Sequence, residues 1–246
     1  MELVNKTRFL VLDAETSGTD TQNDRILTFF MRAKDGDKVV FEQGWVIDPG
    51  CEVPEEAAEV HGMDTDWIRE HGRKDVAEAI DEIRTALEDY AYSGYVVCGY
   101  NHSFDLAILQ SEIRRFSWDD LFKYEGVRFL DPCIFSRVFD KYKKGGHQLI
   151  TVAKRNGIQI EEDRLHAADY DVEVTEKLVP IMLNRAWKEL EDERQGMTPD
   201  EFITLLQAKQ RMWKKEWAEG LTEYFTRTGK TEPDGSKIIV NGKFPY

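Results

Sequence analysis

Arg8-Phe9-Leu10-Val11-Leu12-Asp13-Ala14-Glu15-Thr16-Ser17-Gly18 is the stretch on which the reading of this chain turns. Its short apolar run predicts a buried β-strand that ends at Asp13. Side chains alternate along a strand, so Asp13 and Glu15 fall on one face. Two carboxylates held that close repel each other unless a cation lies between them. The backbone N–H groups of Thr16 to Thr19 are available to a phosphate or a terminal sugar. Taken alone the segment reads more readily as a turn with solvated acids, because an Asp-x-Glu pair is common.

Outward from this strand, Ile26 to Arg32 and Lys38 to Ile47 read as two more strands, joined by a turn at Asp35-Gly36. The first three strands therefore form an antiparallel meander. A short helix is expected over Pro54 to Val60, ahead of His61-Gly62. Asp75 to Tyr90 carries Val76, Ile80, Ile83 and Leu87 at helical spacing. Tyr95 to Cys98 and Val127 to Leu130 are the fourth and fifth strands. Ser103 is placed to cap a helix over Phe104 to Arg115. Further helices are expected over Gln148 to Asn156, stopped by Gly157, and from Asp169 to Leu190.

Two more clusters hold groups of the same chemistry as Asp13 and Glu15. In Gly99-Tyr100-Asn101-His102-Ser103-Phe104-Asp105, Asp105 falls in the first turn of a helix, where the helix dipole alone would account for an acid. Asn101 suits either a turn or a substrate contact, and Phe104 either stacking on a base or packing. In His166-Ala167-Ala168-Asp169-Tyr170-Asp171, five steps of about 100° leave roughly 140° between the first and last side chains. They converge only if His166 precedes the helix that carries Asp171. An imidazole titrates near pH 6.5, which suits it to take a proton from an attacking water. Placement does not choose between Asp169 and Asp171.

Composition narrows the field. The chain has 246 residues, 41% of them hydrophobic, and a formal charge of −14. Such acidity argues against a general electrostatic grip on nucleic acid. A site rich in carboxylates that binds divalent cations escapes the objection, because the bound ions reverse the local sign. No apolar run reaches the roughly 18 residues of a membrane span. The first residues lack the pattern of a secretory signal. Cys51, Cys98 and Cys133 are odd in number and without zinc-ligand spacing, so they read as reduced cytoplasmic thiols.

Residues 196–246 differ in character from residues 1–195, so the latter are taken as the catalytic domain and the former as a helix and tail packed on it. Thr198-Pro199-Asp200-Glu201 is a capping box. The helix that follows carries Phe202, Leu206, Trp213, Trp217, Leu221 and Tyr224 on one stripe, read as packing rather than as a stacking platform. Lys209, Arg211, Lys214 and Lys215 form its opposite face, either a phosphate track or a solvated surface. The last twenty residues read as irregular.

In combination, Leu12-Asp13-Ala14-Glu15-Thr16-Ser17-Gly18, Asn101-His102-Ser103-Phe104-Asp105 and His166-x-Ala168-x-x-Asp171 resemble the motifs of the DnaQ-like 3′–5′ exonucleases of the DEDD group, in the version that uses histidine. Val60-His61-Gly62-Met63 resembles the family's His-Gly turn, and Leu130-Asp131-Pro132 resembles its usual strand end. The resemblance covers about residues 7 to 185, and the tail is similar to that of actinobacterial and phage members. It implies an α/β, ribonuclease H-like three-layer fold, with a mixed five-stranded sheet flanked by helices, plus a C-terminal helical extension. It also implies that Asp13, Glu15, Asp105 and Asp171 bind two Mg²⁺ or Mn²⁺ ions, with His166 as general base. Asp171 is thereby preferred to Asp169. Thr16, Gly18, His61, Asn101 and Phe104 are expected around the substrate, although a capped turn explains His61 as well, and His102 is assigned no role.

The expected activity is release of 5′-mononucleotides from a DNA 3′ end, preferably single-stranded, in repair, replication or proofreading beside a DNA polymerase. The expected setting is the cytoplasm of a bacterium or a phage-infected host. Trimming of RNA 3′ ends, and a non-catalytic module bound to a polymerase, are the competing readings. The oligomeric state is left open.

Overall fold

The computed structural model describes residues 7–123, 125–232 and 234–246. Residues 1–6, on which the reading of the N-terminus falls, lie outside them. Five strands form one sheet in the order β3-β2-β1-β4-β5. They are β1 (Phe9–Thr16), β2 (Ile26–Asp35), β3 (Lys38–Val46), β4 (Val96–Cys98) and β5 (Arg128–Leu130). β1, β2 and β3 make the expected antiparallel meander, while β4 and β5 run parallel to β1. Asp35 pairs with Lys38, so the tight turn is Gly36-Asp37, one residue later than expected, with Gly36 at φ +57°.

β1 does not end at Asp13. It runs on through Glu15 to Thr16, because β2 pairs with it residue by residue until a bulge at Glu15/Thr16. Both acids therefore sit within regular strand rather than in a mobile turn.

The helices are α1 (Glu55–His61), α2 (Thr65–His71), α3 (Val76–Tyr92), α4 (Ser103–Arg115), α5 (Pro132–Phe139), α6 (Leu149–Arg155), α7 (Ala168–Glu189) and α8 (Pro199–Thr228). α2 and α5 were not foreseen. Asp64 caps α2 by accepting from Trp67 N–H, and Asp131 caps α5 by accepting from Cys133 N–H with Pro132 in its first turn. Ser103 does not cap α4: it is the first helical residue, and its hydroxyl is buried without a hydrogen-bond partner.

Two apolar layers enclose the sheet. Leu10 and Leu12 face a cluster that includes Ile80, Ile83 and Leu87 of α3 and Leu106 and Leu109 of α4. Val11 faces the other side, with Val172, Leu178 and Val179 of α7, Phe135 of α5 and Phe202 and Leu206 of α8. This is the three-layer ribonuclease H-like arrangement. The same alternation puts Asp13 and Glu15 on the α7 side, in register with Val11. Arg32 and Lys34 on β2 hold α7 in place by reaching Glu176 at 3.2 and 2.7 Å.

α8 begins with the predicted capping box and lies against β5. Gln210 accepts from Asp131 N–H at 2.7 Å and donates to Phe129 C=O at 3.1 Å. Trp213 stands edge-on to Phe135 and Phe139, in packing contact. The supposed basic face is not one surface. Lys214 is buried, because the helix turns that position toward α5 and β5, and Lys209 is paired with Glu193 at 2.6 Å. The tail, although irregular, is anchored: Phe244 is buried against His102 and Phe129, and Tyr246 donates to Leu121 C=O at 3.1 Å. All three cysteines are free thiols. Among the described residues no helix is long and apolar enough to cross a membrane.

Candidate active site

β4 is only three residues long and pairs with β1 no further than Val11. Beyond that point the β4 side of β1 has no strand neighbour. The chain leaves β4 at Gly99 and turns sharply into α4. A Cβ at Gly99 would stand 2.9 Å from the Leu12 carbonyl and 2.7 Å from His102 Cβ, so only glycine lets the turn come this close. Asp105 then accepts from Ala14 N–H at 3.0 Å, filling the place a strand would have taken. One hydrogen bond thus joins the second acidic segment to the backbone between Asp13 and Glu15.

α7 brings the third segment. His166 lies in the turn before this helix, as convergence with Asp171 required, and adopts φ +61°. That left-handed conformation is uncommon for a residue with a side chain and frequently marks a functional site. The His166 backbone N–H and imidazole both favour the ionised form of Asp171. Ligand atoms of Asp13, Glu15 and Asp171 lie within 4.8 Å of one another.

The electrostatics of this cluster are unfavourable without a cation. Burial, then the charges of Asp105, Glu15 and Asp171, push Asp13 well above the ordinary carboxylate range. Burial, then Asp171 and Asp105, push Glu15 up to about 8. Asp105 is pushed up to about 7, chiefly by burial, against the hydrogen bond from Ala14. Asp171 is raised by burial, and its Oδ1 is buried without a hydrogen-bond partner among the described residues. Converging hard oxygens, mutual repulsion and an orphaned buried carboxylate oxygen are what a Mg²⁺ or Mn²⁺ site offers. Asp13, Glu15 and Asp171 fit such an ion, and Asp105 adjoins them through its hydrogen bond from Ala14.

Around the carboxylates the substrate-side residues separate into groups. Thr16 is buried, its hydroxyl donating to Gly18 C=O at 2.7 Å, and Ser17 N–H is committed to Arg25 C=O at 2.9 Å. That N–H is therefore not free for a phosphate, contrary to expectation, because the bulge folds it back across the turn. His61 lies close to Thr16 and to His166, and burial lowers its imidazole. Its Nδ1 accepts from Met63 N–H at 3.2 Å, while Nε2 makes no well-formed hydrogen bond. His61, Met63, Trp67 and His166 line a cavity of about 430 Å³. Asn101 is exposed at φ +62°, and Phe104 is half-buried.

Asp131 was noted in sequence only as a strand end. Buried at that end, it accepts from Asn101 N–H at 2.9 Å as well as from Cys133 N–H. It thereby holds the strained turn that delivers Asp105. The signal was present: an acid immediately before a proline after an apolar run is a helix cap. His102 lies buried beside it, Nδ1 3.3 Å from the Gly99 carbonyl and 3.9 Å from the Asp131 carboxylate, its ring stacked on Phe129.

The family comparisons follow this geometry. The sequence model of RNase_T, described as Exonuclease, matches residues 10–179. A PolC-type DNA polymerase III from Streptococcus mutans is 24% identical over 184 residues, covering 74% of this chain and 12% of the polymerase. Ribonuclease T from Marinobacter nauticus is 27% identical over 207 residues, covering 74% of this chain and 84% of the relative. The fold is similar to that of E. coli Exonuclease I in complex with a dT13 oligonucleotide. The TM-score is 0.62 at 19% identity, covering 84% of this chain and 45% of the other. The chain thus spans about an eighth of the polymerase relative and less than half of Exonuclease I.

Proposed function

Because this chain belongs to the RNase_T exonuclease family, we propose that it is a 3′–5′ exonuclease of the histidine-containing DEDD type, releasing 5′-mononucleotides from DNA. The observation that carries this reading is the approach of Asp13, Glu15 and Asp171 to within 4.8 Å, with Asp105 tied to the strand between the first two. Asp13, Glu15, Asp105 and Asp171 would hold two Mg²⁺ or Mn²⁺ ions. Bound there, the cations supply Lewis-acid polarisation of the phosphate and neutralise charge at the attacking and leaving oxygens.

The protein's own groups do the rest. His166, in the turn beside Asp171, takes the proton of the attacking water. The water oxygen bonds to phosphorus, the bond from phosphorus to the 3′ oxygen breaks, and that oxygen gains a proton from solvent. The products are a 5′-mononucleotide and a strand one nucleotide shorter with a 3′-hydroxyl. The His61–Trp67 cavity beside His166 receives the terminal nucleoside, and Thr16 and Gly18 are assigned to the same end of the substrate. Asn101 and Phe104 contact the nucleotide before it. Residues 1–195 form the catalytic domain, and residues 196–246 brace it through β5. Cytoplasmic repair or replication beside a polymerase is the proposed setting.

The resemblance to ribonuclease T over most of that relative's length favours RNA 3′ ends as a second reading. One assay separates the two. Mononucleotide release is followed from DNA and RNA of one sequence, single-stranded, paired and with mismatched ends, in Mg²⁺ and in Mn²⁺. Preference for single-stranded DNA is expected, with loss of release in Asp13→Asn and His166→Ala. Preference for RNA would transfer the proposal to RNA trimming. Full release by Asp13→Asn would end it.

A further inference from the structure

We propose that the cleft between α4 and the C-terminal tail is a binding track for the single-stranded nucleic acid upstream of the 3′ end. The inference rests on the nuclease reading above. All of α4 is buried except Phe104, Ala107, Ser111, Arg114 and Arg115. Those residues recur at helical spacing, so they form one stripe. It starts beside Asp105 and ends about 15 Å further along the helix. Ala107, Ser111, Arg114 and Arg115 of this stripe form one wall of a cleft of about 710 Å³, whose other walls are Gln22 and, from the tail, Asn241 and Lys243.

In a chain of net charge −14, this cleft has three cations among its described lining residues and no acid. The two arginines are locked in place. Arg114 grips Asp120 at 2.8 Å, and Arg115 donates to the Gln22 and Asp24 carbonyls at 2.7 and 3.1 Å. Lys243 is exposed and forms no ion pair among the described residues. Its position is nonetheless fixed. On one side Gly242 packs so tightly that a Cβ there would stand 3.1 Å from Ala218 Cβ and Lys215 Cα. On the other side Phe244 is buried. A lysine on an anchored stretch of backbone, two guanidiniums held by Asp120 and Glu112, and the amides of Gln22 and Asn241 suit a chain of phosphates and bases read without regard to sequence. The tail lies outside the stretch that matches the family model.

The test compares Lys243→Glu with the unmodified protein and with Lys141→Glu. Lys141 lines a different cationic cleft, between α5 and α8, of about 460 Å³. Binding of 5′-labelled dT12 is read by fluorescence anisotropy in EDTA across a salt series, so no hydrolysis enters. Hydrolysis of the dinucleotide dTpdT, which lacks an upstream strand, is the internal reference. For Lys243→Glu we expect at least threefold weaker dT12 binding and a salt slope smaller by about 0.7. Lys141→Glu should leave both unchanged, and dTpdT hydrolysis should be unaltered in both variants. An unchanged dT12 affinity in Lys243→Glu, or the same loss in Lys141→Glu, overturns the proposal. Lysine-dependent binding with no hydrolysis of any substrate would keep the track and sink the nuclease reading. Hydrolysis of dTpdT with binding indifferent to Lys243 would do the reverse.

Discussion

At the scale of single residues, the carboxylate cluster works against folding until cations arrive. Asp105 and Glu15 hold protons up to about pH 7 and 8, whereas ordinary values are 3.8 and 4.5. Between those limits the native chain binds more protons than the unfolded one, so stability falls as pH rises. Melting in EDTA should therefore give a Tm that declines from about pH 4 to about pH 8. Mn²⁺ at a hundredfold excess over its Kd should restore about 2.7 kcal/mol. Asp13→Asn removes one of the repelling charges. We expect its metal-free Tm at pH 8 to rise by a few degrees, at about 2–4 °C per kcal/mol, while mononucleotide release drops at least about a hundredfold. A lower Tm together with wild-type release would show that Asp13 is a structural acid. These residues were legible in sequence by type, but their proximity was not. Asp13, Asp105 and Asp171 are separated by some ninety and then some sixty residues, and only packing of α4 and α7 against β1 brings them together.

At the scale of elements, the position of α4 depends on two features at the ends of short strands. One is Gly99, where any side chain would strike the Leu12 carbonyl. The other is Asp131, which accepts from both Cys133 N–H and Asn101 N–H while buried. Asp131→Ala would leave two donors without partners and uncap α5. The expected loss is about 2–4 kcal/mol. Asp131→Asn keeps an acceptor oxygen and should retain most of that stability, so denaturant melts of the two variants check the account. Equal losses would show that the charge itself, not the hydrogen bonds, is what matters. The strands and the longer helices were legible because their apolar periods are long and clear. α2 and α5 are no shorter than α1 and α6, which were read; they were missed because their caps, Asp64 and Asp131-Pro132, were not taken as helix starts, the second being read as the end of a strand. The basic face of α8 failed for a different reason. A helical period orders residues around an axis but does not say how wide the buried sector is, and here it is wide enough to take in Lys214.

At the scale of the whole molecule, the C-terminal segment is part of the structure that supports the site. α8 hydrogen-bonds to both ends of β5 through Gln207 and Gln210, and the tail returns to place Phe244 on His102 beneath the turn into α4. Phe244→Ala should cost about 3–5 kcal/mol. The measurement is Tm with and without Mn²⁺. An unchanged Tm would mean that the tail is not seated. The overall acidity and the local cationic cleft together predict binding confined to a narrow path and sensitive to salt.

Legible in the chain itself were the order of the five strands, the face of β1 that carries Asp13 and Glu15, and the residue types able to bind cations, because alternation and helical period are local consequences of backbone geometry. The tertiary structure alone decided which distant acids meet, which of the cationic side chains are buried, and that an irregular tail forms a wall beside α4. Those outcomes depend on how β4 stops short of β1, how deeply α8 sinks against β5, and where Phe244 finds its pocket. They are set by packing between segments far apart in the chain, which no local pattern encodes.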